Sequence, residues 1–64
     1  MLSLTEAVKR GHALVKKERK PYIIYRRNGK IAVISLQSYL DAGLDDKGAK
    51  RICVCTENAF GKPI

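Results

Sequence analysis

Asn28-Gly29 lies between two runs of β-branched and aromatic residues, Tyr22-Ile23-Ile24-Tyr25 before it and Ile31-Ala32-Val33-Ile34 after it. Both central positions of a tight hairpin turn need positive φ, which Asn and Gly adopt at low cost, so the dipeptide predicts a β-hairpin over 22–34. A two-residue loop sets the register. On one face Arg27 meets Lys30, Tyr25 meets Ala32 and Ile23 meets Ile34; on the other Arg26 meets Ile31, Ile24 meets Val33 and Tyr22 meets Ser35. Both faces are apolar away from the turn, whereas a half-buried hairpin alternates between apolar and polar residues. Something must cover each side.

A chain of 64 residues has little material for this. At that size only about 60% of the unfolded surface is buried on folding, and a single core is marginal. One face falls to the chain's own helices, and the other is expected to meet a second copy, because twofold dimers are the commonest oligomers. The contact is expected through Ile24, Ile31 and Val33, or alternatively through the Ile23, Tyr25 and Ile34 face. The competing arrangement is a monomer with helices packed on both faces.

The segments flanking the hairpin read as follows. Ser3-Leu4-Thr5-Glu6 fits a capping box, and Leu4, Ala7, Val8, Gly11, Leu14 and Val15 recur at three- and four-residue spacing, which predicts a helix over 3–20. Gly11 on that apolar stripe suggests close approach of another backbone or a local kink. The helix must stop before Pro21. Ser35 is a good N-cap for a short helix over 35–43, closed by Gly43. Asp45-Asp46-Lys47-Gly48 reads as a loop, 51–56 as a third strand, and 57–64 as an irregular tail in which Phe60 is the anchor. The expectation is one small α+β domain over 1–64: helix, antiparallel hairpin, short helix, strand.

Charge narrows the functional classes. Lys and Arg number 13 against 6 Asp and Glu, a net charge of +7, and nine of the cations fall within residues 9–30. Concentrated basic charge on a small domain is the electrostatic footprint of a polyanion partner, although many charge runs are only solvated faces. The candidate nucleic-acid contacts are Lys9, Arg10, Lys16 and Lys17 on the first helix, with Arg26, Arg27 and Lys30 at the turn. Catalysis finds no support: His12 is the one histidine and has no nucleophile or carboxylate at a triad-like spacing. Asn28-Gly29 is a turn and not a phosphate loop, and Asp45-Asp46 lacks the alternating ligands of a calcium site. Cys53 and Cys55 would share one face of a strand, too close in sequence for an unstrained bridge and too few for structural zinc; they read as reduced, buried thiols, with no metal or cofactor expected. No run approaches the roughly 20 apolar residues of a membrane span, so the expected location is cytoplasmic.

Leu4-Thr5-Glu6-Ala7, Tyr22-Ile23-Ile24-Tyr25-Arg26-Arg27-Asn28-Gly29-Lys30, Ala32-Val33-Ile34-Ser35-Leu36 and Tyr39-Leu40, in that order, resemble the Phd/YefM antitoxin family of toxin–antitoxin systems. The likeness covers about residues 3–43. It implies a dimeric α/β module that binds its own operator DNA through its N-terminal region, with a separate C-terminal extension that neutralises a toxin. The chain departs from the pattern at Val8, where the family carries Arg, and at Arg51–Thr56, where the family has a longer and commonly acidic tail. The function implied is a homodimeric, DNA-binding, antitoxin-like repressor or autoregulator. Phosphate contacts would supply its affinity, and a few side chains near the start of the first helix would read sequence. The alternative is a small phage-type protein-interaction module that inhibits a larger nucleic-acid-processing enzyme.

Overall fold

Helix α1 spans Leu4–Glu18 and opens as its sequence dictates, with Ser3 in extended conformation accepting a hydrogen bond from the Glu6 amide at 3.2 Å. The Glu6 carboxylate returns by accepting from the Ser3 hydroxyl at 3.1 Å. Arg19 ends the helix in left-handed conformation (φ 57°), and its amide donates to the Val15 carbonyl at 2.8 Å. That turn delivers the chain through Lys20 and Pro21 into β1 (Tyr22–Arg27). β2 (Lys30–Ser35) returns antiparallel, and the turn between them has φ 54° at Asn28 and 74° at Gly29, as a two-residue turn of type I′ requires. The register is the one expected, from Arg27 opposite Lys30 to Tyr22 opposite Ser35.

Ser35 then caps α2 (Leu36–Asp41), accepting from the Ser38 amide at 3.2 Å while the Leu36 amide donates to the Pro21 carbonyl at 3.0 Å. The segment expected as a loop is a 3₁₀ turn over Leu44–Lys47 instead. Gly43 and Gly48 bracket it with positive φ, and Leu44 anchors it in the core. β3 (Lys50–Cys55) begins one residue earlier than expected and lies antiparallel to β1 within the same chain, giving the sheet order β2-β1-β3. The structure describes residues 2–56 in a computed structural model; the expected tail over 57–64 and its Phe60 lie outside the described residues. The fold is α+β.

Each face of the hairpin is covered by the chain itself. Under α1 lie Tyr22, Ile24 and Cys55 with Ala7 and Val15, bordered by Val8, Leu14, Ile31 and Val33. Ile23 packs on the other side with Tyr39, Leu44 and Ala49, bordered by Tyr25, Ile34 and Leu36. Neither face of the hairpin is left bare, so neither calls for a second copy to cover it. Ile24, expected at a dimer interface, is fully buried in the chain's own core, while Ile31 and Val33 on edge strand β2 remain half-buried. Gly11 does sit at a close approach, but to a side chain and not to a backbone: a Cβ there would lie 3.0 Å from the Cys55 Sγ.

Candidate nucleic-acid interface

The packing of α1 decides where its cations point. Ala7, Gly11 and Val15 are buried against the sheet at four-residue intervals, so the opposite side of the helix faces solvent. Lys9, Arg10, Lys16 and Lys17 occupy that outer side and are all exposed. At 100° per residue they form two rows, Lys9 with Lys16 and Arg10 with Lys17. Each pair is two turns, or about 10 Å, apart. Ala13 is exposed between them and presents only a methyl group, so the charged side chains are the tallest features of the surface.

The hairpin-tip cations belong to a different place. Arg26, Arg27 and Lys30 are exposed at the end of the sheet where β1 stops, while the C-terminal end of α1, with Lys16 and Lys17, is joined to the end where β1 starts. A six-residue strand, about 20 Å, separates the two ends. The seven expected contacts are thus all exposed, with Lys16 and Lys17 at the end of the sheet opposite the tip cations and Lys9 and Arg10 two turns of α1 back from them. Among the described residues none of the seven makes an ion pair.

A further cation joins the tip. β3 pairs with β1 so that Lys50 lies directly opposite Arg26, and Lys50 is exposed. Its place beside Arg26 is set by the β1–β3 register, which has no local signature in the sequence. That register shifts by one residue between Ile24 and Tyr25, where Cys53 and Arg51 are the respective partners and Ile52 is left over as a bulge.

Arg51, next along β3, has the opposite fate. It donates to Asp45 through both Nη2 (2.7 Å to Oδ2) and Nε (3.3 Å to Oδ1), and its guanidinium lies 5.4 Å from the centre of the Tyr39 ring. The Tyr39 hydroxyl donates to the same Asp45 Oδ1, and the Tyr39 ring meets Tyr25 edge-on at 5.2 Å. The hydrogen bonds from Arg51 and Tyr39 lower the pKa of the Asp45 carboxyl, and burial followed by the Asp45 contact raises that of the Tyr39 phenol. This cluster fastens α2, the 3₁₀ turn and β3 to one another. It is a structural clamp.

Comparison with known protein families, with curated proteins and with solved structures finds no match for this chain. Its function is therefore argued from its own geometry.

The remaining features bear on chemistry only weakly. Cys53 and Cys55 are free, but only Cys55 is buried; Cys53 is exposed on the edge strand, which corrects the expectation of two buried thiols. Burial, with a smaller contribution from Cys53, pushes the Cys55 thiol up to about 11, which keeps it protonated and unreactive at neutral pH. Among the described residues no group of three or more potential metal ligands gathers. Among the same residues no helix is long and apolar enough to cross a membrane. A cleft of about 320 Å³ opens where α2 begins, lined by Lys20, Pro21, Ser35, Leu36, Gln37 and the exposed Leu40. The Ser35 hydroxyl in its lining donates to the Ser38 Oγ at 2.8 Å.

Proposed function

We propose that this chain binds duplex DNA through the outer face of α1 and acts as a small antitoxin-like repressor or autoregulator without catalytic activity. The observation that carries the reading is the pair of cation rows on α1, Lys9/Lys16 and Arg10/Lys17, exposed and without ion pairs among the described residues. A helix spends its other side on the core and keeps this one for a polyanion. The net charge of +7 supplies the long-range attraction. The resemblance of residues 3–43 to Phd/YefM antitoxins supports the narrower assignment as a regulator of its own operator, working in the cytosol.

That resemblance also implies a homodimer. With both faces of the hairpin covered, we place the pairing at β2, one of the two open edges of the sheet, where Ile31 and Val33 are half-exposed. Sedimentation equilibrium at micromolar concentration should then give twice the 7.1 kDa of the chain.

The direct test is a salt titration of binding to a labelled duplex, using both random sequence and the gene's own upstream region. Counterion release gives a log–log slope of about −0.9 per phosphate neutralised. Lys9→Gln and Lys16→Gln should each reduce that slope by about one; a residue that reads a base edge would relax specificity instead. No complex at tens of micromolar protein in low salt would reject DNA binding. The survivor would be the protein-interaction reading, for which the cleft beside exposed Leu40 is the natural seat.

A further inference from the structure

The tip of the sheet carries an arrangement that works against the stability of the free protein. Arg27 is paired across β1–β2 with Lys30, and Arg26 is paired across β1–β3 with Lys50. Like charges directly opposite one another on neighbouring strands are destabilising. Here that happens in both ladders of the sheet, at the same end, with all four side chains exposed. Among the described residues no carboxylate pairs with any of them. Asp45 is engaged by Arg51 and Tyr39.

The alternation of the strands adds a second point. Arg26 and Lys50 project on the α1 side of the sheet and Arg27 and Lys30 on the α2 side, so the end of the sheet is cationic on both faces. A single carboxylate could neutralise one pair but not both. A ligand with several negative charges along its length could reach both, and a phosphodiester backbone has that form.

From this we infer that Arg26, Lys50, Arg27 and Lys30 form a second phosphate-binding site at the tip of the sheet, so that one chain engages nucleic-acid backbone there as well as on the outer face of α1. This rests on the proposed DNA binding and goes beyond it by assigning the tip its own contact and by adding Lys50. The charge repulsion in the free protein is relieved when phosphate enters. Binding and stability at this end are therefore opposed: a change that removes one cation stabilises the free chain and weakens the complex.

The test is Lys50→Gln, with Lys9→Gln and Lys16→Gln as companions, measured by thermal unfolding without ligand and by salt-dependent binding to a 20-base-pair duplex. Lys50→Gln should raise the unfolding midpoint, weaken binding by roughly eightfold at 0.1 M salt and reduce the salt slope by about one. A raised midpoint with unchanged affinity and slope would overturn the second site, and if the α1 variants still weakened binding, the DNA-binding reading would stand without it. A titration with inorganic tripolyphosphate, followed by amide NMR shifts, separates the remaining cases. Should the wild type bind no duplex, saturable shifts at Arg26–Lys30 and Lys50 would retain the phosphate site while the α1 reading fell, and no shifts there would overturn both.

Discussion

The two faces of the sheet are closed by different means. On the α1 side the helix comes down on small residues, Ala7 and Gly11, and the seal is apolar volume fitted against Ile24 and Cys55. On the α2 side a short helix and a 3₁₀ turn, too small to bury a broad apolar stripe, are held by the Tyr39–Asp45–Arg51 clamp and the contact of Tyr39 with Tyr25. A face covered by a long helix can rely on packing alone, because α1 supplies fifteen residues from which a stripe is drawn. A face covered by ten residues of short turns needs directional bonds to hold those turns in place. The first face should therefore respond to changes of volume, and the second to changes of charge.

The largest effect is expected at Ile24, fully buried beneath α1. Ile24→Ala should cost about 3 kcal/mol in chemical denaturation, by the same amount at pH 4 as at pH 7. For a domain of this size that is a large fraction of total stability. A loss that varied with pH would break the contrast between the faces.

Gly11 and Cys55 offer a finer probe of the same face. Gly11→Ala brings a Cβ to 3.0 Å from the Cys55 Sγ and should lower stability on its own. In a Cys55→Ala background the clash is gone, and the substitution should instead gain about 1 kcal/mol of helix propensity. Cys55 also has a pKa raised by burial from 9.0 to about 11, so its stabilising contribution is complete below pH 9 and is lost as pH rises toward 11. Cys55→Ala should accordingly flatten the alkaline limb of the stability profile, leaving the part due to the raised Tyr39 phenol.

The smallest effect at neutral pH, and the most diagnostic for the other face, is expected at Asp45. Its folded pKa is lowered, so its contribution is present above the ordinary carboxyl range near 3.8 and is lost as pH falls below it. Asp45→Asn should remove that acid limb. If the acid limb persists in the variant, the clamp is not what holds the second face.

The hairpin was legible to the residue because its register is set by two adjacent residues with a specific conformational demand. Both helix N-termini were legible for a similar reason: Ser3 and Ser35 act on amides three positions away. What escaped the sequence depends on contacts distant along the chain. The bulge at Ile52 has no local signature, yet it decides that Lys50 meets Arg26 and that Arg51 reaches Tyr39. The 3₁₀ turn was read as a loop because its helical character comes from Leu44 docking into the core between two glycines. The cations of α1 are exposed because the apolar stripe of Ala7, Gly11 and Val15 turns the opposite side of the helix to solvent. How far they lie from the tip cations depends on the tertiary path of α1, which helical periodicity does not encode.

The central place of β1 has a consequence for the order of assembly. β1 acquires its first neighbour, β2, through a turn that closes in about 1–10 μs. Its second neighbour, β3, begins fifteen residues beyond the end of β2 and is complete only at twenty. At about 5–20 residues per second of synthesis, a growing chain spends about one to four seconds with one edge of its middle strand open. During that interval the backbone of Tyr22–Arg27 can recruit any extended segment nearby, including the same strand of a neighbouring nascent chain. The emergence of Lys50–Cys55 from the ribosome ends that exposure.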